Sequence, residues 1–151
     1  GFDLEIQLNI IKNYRVTTFC APSMIYRLIA QADLAGADFG SLRHCSDADE
    51  PFNSEAMSAW KNATSCAVYD GYCQTKTINL MANFSAIDIR SGSMGKSFPS
   101  LIVDNIDDDG TVLEDDEIDH ICVKITDLYL LDLFTDYYKD GAKKAQIFRN
   151  G

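Results

Sequence analysis

The stretch Asp70-Gly71-Tyr72-Cys73-Gln74-Thr75-Lys76-Thr77 brings a carboxylate, a glycine, a ring, a thiol, an amide, two hydroxyls and an ammonium together. It directly follows Cys66-Ala67-Val68-Tyr69, an apolar run that reads as a buried strand. Residues of these types can grip a nucleotide. Tyr72 can stack on a base, Asp70 can accept a hydrogen bond from an exocyclic amine, and Thr75 can donate one to a phosphate oxygen. In an open α/β sheet, ligands bind outside the carboxyl ends of the strands. The plain alternative is a surface loop of ordinary turn residues.

Other residues invite chemistry less well. Glu50-Pro51 precedes a helical stretch, where a simple turn explains it equally. Asn105, Asp107, Asp109, Gly110 and Asp116 partly match a calcium loop, but the last ligand is Asp instead of Glu and the flanks look like strands. A hairpin turn over Asp108-Asp109-Gly110 explains this stretch better. His44-Cys45 and His120-x-Cys122 have zinc-ligand types at spacings unlike zinc sites, so packed strand residues are the simpler reading. Cys73 as a nucleophile needs a base, and the strand order places neither histidine beside it. The residues therefore assign no metal site and no catalytic residue.

These groups need a frame. Leu4, Leu8 and Ile11, with Ile10 and Tyr14, fall near helical spacing and predict a helix over 3–13 capped by Asp3. Arg15 to Ala21 reads as a strand, and Pro22 opens a second helix that Ala35-Gly36 ends. Leu42 to Ser46 reads as a second strand. Ser54 caps a third helix with Met57 and Trp60 inward, and Cys66 to Tyr69 is the third strand. This order predicts an α/β fold, a three-stranded parallel βαβαβ portion of a larger sheet. Right-handed crossovers place Pro22, Asp47 to Pro51 and Asp70 to Lys76 at one sheet edge. After Arg90, Leu101 to Ile106, Thr111 to Leu113 and Ile118 to Ile125 look like short strands, followed by a helix over 140–148. The expected division is 1–88 for the α/β part and 89–151 for a small antiparallel or barrel-like β subdomain.

Hydrophobic residues make up 46% of the 151, which suits a globular chain with a real core. The formal charge of −10 argues against nucleic acid and anionic membranes as partners. No apolar run reaches the roughly 20 residues that span a bilayer. The start, Gly1-Phe2-Asp3-Leu4-Glu5, has no signal-peptide pattern and no initiator Met, as expected of a processed or excised piece. Cys20, Cys45, Cys66, Cys73 and Cys122 are odd in number and form no Cys-x-x-Cys pair, which predicts reduced, mostly buried thiols.

The loop at Asp70 to Lys76 resembles the Tyr-Gly-Gln-Thr-Glu motif of the AMP-forming acyl-CoA synthetases, in the adenylate-forming enzymes. Val16 to Arg27, Ser46 to Pro51, Gly92-Ser93-Met94-Gly95-Lys96, Ile106 to Gly110 and Phe148-Arg149-Asn150-Gly151 are similar to further segments of that family, in order, with the medium-chain type closest. The resemblance implies an internal piece of the large N-terminal domain. ATP, Mg²⁺ and CoA would serve the parent enzyme, with a fatty acid as the other substrate. It also implies that Tyr72 packs on adenine, Asp70 contacts its amino group, Thr75 bonds the α-phosphate, Gln74 holds the loop, and Gly71, Glu50 and Pro51 lie alongside. Cys73 stands where a glycine lines the acyl pocket, Lys76 where a glutamate helps hold Mg²⁺, and Asp49 where glycine is usual. Leu128, Leu130 and Leu131 occupy proline-like positions, and Asp132 and Asp136 glycine-like ones. Glycine-to-Asp, proline-to-Leu and glutamate-to-Lys changes suggest a drifted copy. The phosphate loop would precede residue 1, and the Thr-Gly-Asp motif and catalytic lysine would follow Gly151. The chain alone is then expected to be inactive. The alternatives are a non-catalytic nucleotide-binding piece or a structural one that associates with itself or with missing segments. The compartment is open between cytoplasm and mitochondrial matrix.

Overall fold

A computed structural model describes residues 2–47, 50, 54–125 and 133–148. Two compact units emerge, Gly1–Tyr72 with Met81–Lys96, and Cys73–Leu80 with Ser97–Gly151. The division expected after residue 88 falls inside the segment Met81–Lys96 of the first unit.

In the first unit, α1 (Leu4–Asn13) begins where Asp3 accepts the Ile6 N–H at 3.1 Å. Glu5 in its first turn and Lys12 in its last suit the helix dipole. It ends with Arg15 at φ 49°, so that Val16 N reaches Ile11 O at 3.1 Å and Arg15 N reaches Lys12 O at 3.3 Å. That pattern closes the helix and turns the chain into a strand. Ile11 is buried, while Ile10 and Tyr14 face solvent and take no part in the core.

Strand β1 (Thr18–Cys20) leads to α2 (Ser23–Ala30), with Pro22 just before the first helical residue. Then come β2 (His44–Asp47), α3 (Ser54–Thr64) and β3 (Val68–Tyr72). β1 and β2 pair in parallel with Phe19 opposite Cys45, and β2 and β3 pair in parallel with Asp47 opposite Asp70. β4 (Met81–Ala82) pairs antiparallel to β3, and β5 (Lys96–Ser97) completes the sheet order β1-β2-β3-β4-β5. The fold is therefore α/β with a mixed sheet.

The core is a ring cluster. Trp60 on α3 lies 4.8 Å from the Tyr26 ring, 5.9 Å from Phe19 and 5.8 Å from Phe39, centroid to centroid. Trp60 and Tyr26 are fully buried. The Tyr26 hydroxyl shares its proton between Phe19 O at 3.0 Å and Ser46 O at 2.8 Å, tying α2 to the ends of β1 and β2. Burial, with Cys45, Cys20 and Asp47 nearby, pushes its ionisation far above the usual phenol range, so it stays a donor. Burial, followed by the neighbouring Cys66, likewise pushes the Cys45 thiol up to about 12.

Two expectations need correction. β3 does not end at Tyr69 but runs through Tyr72, because β4 extends the ladder with Gly71 opposite Ala82 and Tyr72 opposite Met81. Nor are the thiols mostly buried. Cys45 and Cys66 are, but Cys20 is exposed and Cys73 and Cys122 are half-buried. Cys20 alternates with inward-facing Phe19 on β1 and so points away from the ring cluster.

In the second unit, β6 (Val103–Ile106) pairs antiparallel to β7 (His120–Val123). The strand expected over 111–113 reduces to a single bridge, Val112 with Ile106. The Asp107 carboxylate accepts from Asp109 N at 2.9 Å and Thr111 N at 2.8 Å, building the turn at Gly110. Helix α4 (Gly141–Ile147) is capped by Asp140, which accepts from Lys143 N. The departures at Asp49, Leu128, Leu130, Leu131 and Asp132 lie outside the described residues, as does Pro51.

Candidate functional site

Parallel pairing of β1, β2 and β3 places Pro22, Asp47 and Tyr72 at one edge, the carboxyl end of the sheet. Side chains alternate along these strands. Cys45 and Asp47 on β2 and Val68 and Asp70 on β3 are buried, on the face of the ring cluster. Asp70 is only 6% exposed and Asp47 1%, so the edge is bounded by two buried acidic residues in register.

The Asp70 backbone is held from the returning segment. Its carbonyl accepts from Asn83 N at 2.8 Å and Asn83 Nδ2 at 3.3 Å, and Asn83 Nδ2 also donates to Ser93 O at 2.8 Å. Gly71 sits where a Cβ would lie 3.3 Å from Met81 O and 3.5 Å from Ala82 Cβ, a tight crossing. Gly95 is more constrained. At φ +85°, its Cβ would stand 2.0 Å from Ala82 O, so no other residue fits. Tyr72 is half-buried at the end of β3.

Glu50 is engaged from α2. Its Oε1 accepts from the buried Ser23 hydroxyl and from Arg27 Nη2 at 2.6 Å. The carboxylate thus ties the segment after β2 to the first turns of the helix after β1. About half exposed, the ion pair acts as a positioning contact more than as a large source of stability.

In the second unit, Cys73 is half-buried and Gln74 and Thr75 are exposed. Residues 74–77 form a closed turn. Thr77 N donates to Gln74 O at 3.0 Å, Gln74 N donates to Thr77 Oγ1 at 3.1 Å, and Lys76 Nζ donates to Gln74 Oε1 at 3.2 Å. Gln74 therefore organises its own turn, and the Thr75 side chain lies at its tip. Among the described residues, no three His, Cys, Asp or Glu side chains group to hold a metal ion. His44 stacks on Tyr69 at 4.8 Å, and His120 contacts Asp108 at 3.1 Å and Asp119 at 3.3 Å.

The residues expected to contact a nucleotide are divided between the two units. Asp70, Gly71 and Tyr72 belong to a strand of the first unit, together with Glu50, and Cys73, Gln74 and Thr75 belong to the second. Sequence reasoning missed Asn83, Ser23 and Arg27. No local pattern marks Asn83, whose partners lie 13 and 10 residues away.

The sequence pattern of the family described as AMP-binding enzyme matches residues 2–129. The chain belongs to that family. Acyl-coenzyme A synthetase ACSM3, mitochondrial, of Rattus norvegicus is 36% identical over 148 residues, 98% of this chain and 26% of the relative. Acyl-coenzyme A synthetase ACSM5, mitochondrial, of Homo sapiens is 36% identical over 143 residues, 95% of this chain and 25% of the relative. The chain thus spans about a quarter of the length of these curated relatives. Among solved structures, an acyl-CoA synthetase of Brucella canis superposes with a TM-score of 0.80 at 29% identity, over 92% of this chain and 26% of that one. The anthranilate CoA ligase AuaEII in complex with anthranoyl-AMP superposes with a TM-score of 0.74 at 28% identity, over 80% and 24%. No helix among the described residues is long and apolar enough to cross a membrane.

Proposed function

We propose that this chain is the adenylate-binding portion of an AMP-forming acyl-CoA synthetase, and that by itself it binds nucleotide without turnover. The parent reaction activates a carboxylic acid by attack of its carboxylate on the α-phosphate of ATP. Pyrophosphate leaves, and the CoA thiol then displaces AMP from the acyl-adenylate. In this reading Tyr72 packs on adenine, Asp70 accepts from its amino group, Thr75 donates to the α-phosphate, and Gln74 shapes the turn. Gly71 and Cys73 continue the edge, and Glu50 and Pro51 border it, with Cys73 narrowing the acyl side. The fatty acid is expected to be of medium length, and of the two open compartments the names of the curated relatives favour the mitochondrion.

The observation that carries the reading is the locked carboxyl end of β3, where Asn83 holds the Asp70 carbonyl in a chain of the AMP-binding family. A backbone fixed at the carboxyl end of a sheet strand holds its side chains in a set position for a ligand that binds there. One fact favours binding without turnover: position 76 carries an ammonium where the family resemblance expects a metal-holding carboxylate.

Calorimetric titration with AMP tests the binding, and a pyrophosphate-release assay with ATP, CoA and a medium-chain fatty acid tests the turnover. Saturable AMP binding without pyrophosphate release is expected. Robust release would overturn the inactive reading, and the absence of AMP binding would overturn the adenylate site and favour a structural or self-associating piece.

A further inference from the structure

The turn after β3 lacks the chemistry of a divalent-cation site. Magnesium is held by carboxylates and substrate phosphates, and Cys73–Leu80 contains no Asp, Glu or His. Lys76, at the position where the family resemblance places a metal-holding glutamate, is a donor only and repels a cation. The magnesium ion that the family implies does not fit this turn.

The same turn suits an anion. Lys76 is half-buried and forms no ion pair with a carboxylate among the described residues, although acidic residues outnumber basic ones 23 to 13 in the chain. Its backbone is fixed, because Phe134 N donates to Lys76 O at 3.0 Å and Thr77 bridges to Leu133. Gln74 Oε1 takes one of the three ammonium donors at 3.2 Å and leaves two for a ligand. Thr75, exposed at the tip, adds a neutral hydroxyl donor.

We propose that the turn at residues 74–77 takes a nucleotide phosphate in its metal-free form, with the Lys76 ammonium as counter-charge in place of a divalent cation. This assignment rests on the nucleotide-binding reading above and adds to it the source of the neutralising charge. Free ATP is more anionic than its magnesium complex, so a turn with one ammonium and no carboxylate favours the free form.

The test titrates ATP calorimetrically into the whole chain, once in EDTA and once in excess Mg²⁺, with AMP in EDTA as a control. ATP is expected to bind in EDTA at least as tightly as with Mg²⁺. In Lys76→Glu, binding in EDTA is expected to weaken about tenfold, the low end for a charge-assisted contact, and to recover with Mg²⁺. An amide spectrum verifies that the variant is folded. Wild-type affinity for ATP that rises about tenfold or more with Mg²⁺, or Lys76→Glu binding unchanged in EDTA, overturns the assignment while AMP binding leaves the nucleotide reading standing. Failure of both AMP and ATP to bind in either buffer overturns the nucleotide reading, and this assignment with it.

Discussion

In the first unit the backbone is decided by burial and close crossings. In the second it is decided by side-chain oxygens that satisfy local amides. Trp60, Tyr26, Phe19 and Phe39 form one ring cluster, and Gly95 admits no Cβ. The hairpin between β6 and β7 relies instead on Asp107, which accepts two amides, and on Asn105, which donates to Glu117 O at 2.7 Å. Among the described residues the buried hydrophobic side chains are Ile11, Ala21, Tyr26, Ile29, Phe39, Cys45, Ala56, Trp60, Cys66 and Val68, with Leu80 the one from the second unit. The difference teaches where sequence change is tolerated. Core and crossing positions are expected to resist it, while a turn closed by its own side chains, such as 74–77, is expected to accept it.

That contrast can be broken by substitution, and the largest effect belongs to the ring cluster. Trp60→Ala is expected to cost about 3–5 kcal/mol, read as a fall in the urea midpoint. A loss below about 1 kcal/mol would mean that the rings do not form a common core. Asn83→Ala removes two side-chain donors to partly or fully buried carbonyls and is expected to cost about 2 kcal/mol, with amide shifts at Asp70 and Ser93. Shifts confined to residue 83 would contradict its role at the β3 edge.

Alkaline pH sharpens the same comparison. The folded-state pKa of Cys45 is raised, so the unfolded chain releases this proton first. The stability from keeping the thiol neutral is complete below about pH 8.5 and is lost as pH rises toward about 12. The slope is expected to reach up to about 1.4 kcal/mol per pH unit. Urea midpoints at pH 8 to 11 should fall more steeply for the wild type than for Cys45→Ala, and equal slopes would contradict the buried-thiol assignment. Asp107→Ala is expected to cost about 1 kcal/mol and to speed amide exchange at Asp109 and Thr111, leaving the first unit's amides unchanged. Smallest of all, Lys76→Glu is expected to change stability by less than about 0.5 kcal/mol while altering the metal dependence of ATP binding.

The sequence was most legible where local signals agree with the tertiary outcome. Asp3 caps α1 as its position suggests, and the alternation of apolar runs and helical patterns through Tyr69 yields the parallel pairing of β1, β2 and β3. Legibility failed where a distant partner decides. The extension of β3 through Asp70, Gly71 and Tyr72 depends on Met81–Ala82, which no local pattern marks as a partner strand. Glu50 was expected beside the ligand, and its contact with Arg27 across 23 residues was not visible. Cys20 is exposed because of the face it takes on β1, which its apolar run conceals.

The central proposal is that Asp70, Tyr72 and Thr75 retain the binding of an adenylate. It is tested most directly by amide spectra of the ¹⁵N-labelled chain during titration with AMP. Saturable shifts concentrated at Asp70 to Thr75 and at Glu50, lost in Tyr72→Ala with the remaining spectrum intact, are the expected result. A dispersed spectrum that AMP leaves unchanged, or shifts that saturate elsewhere, would contradict it.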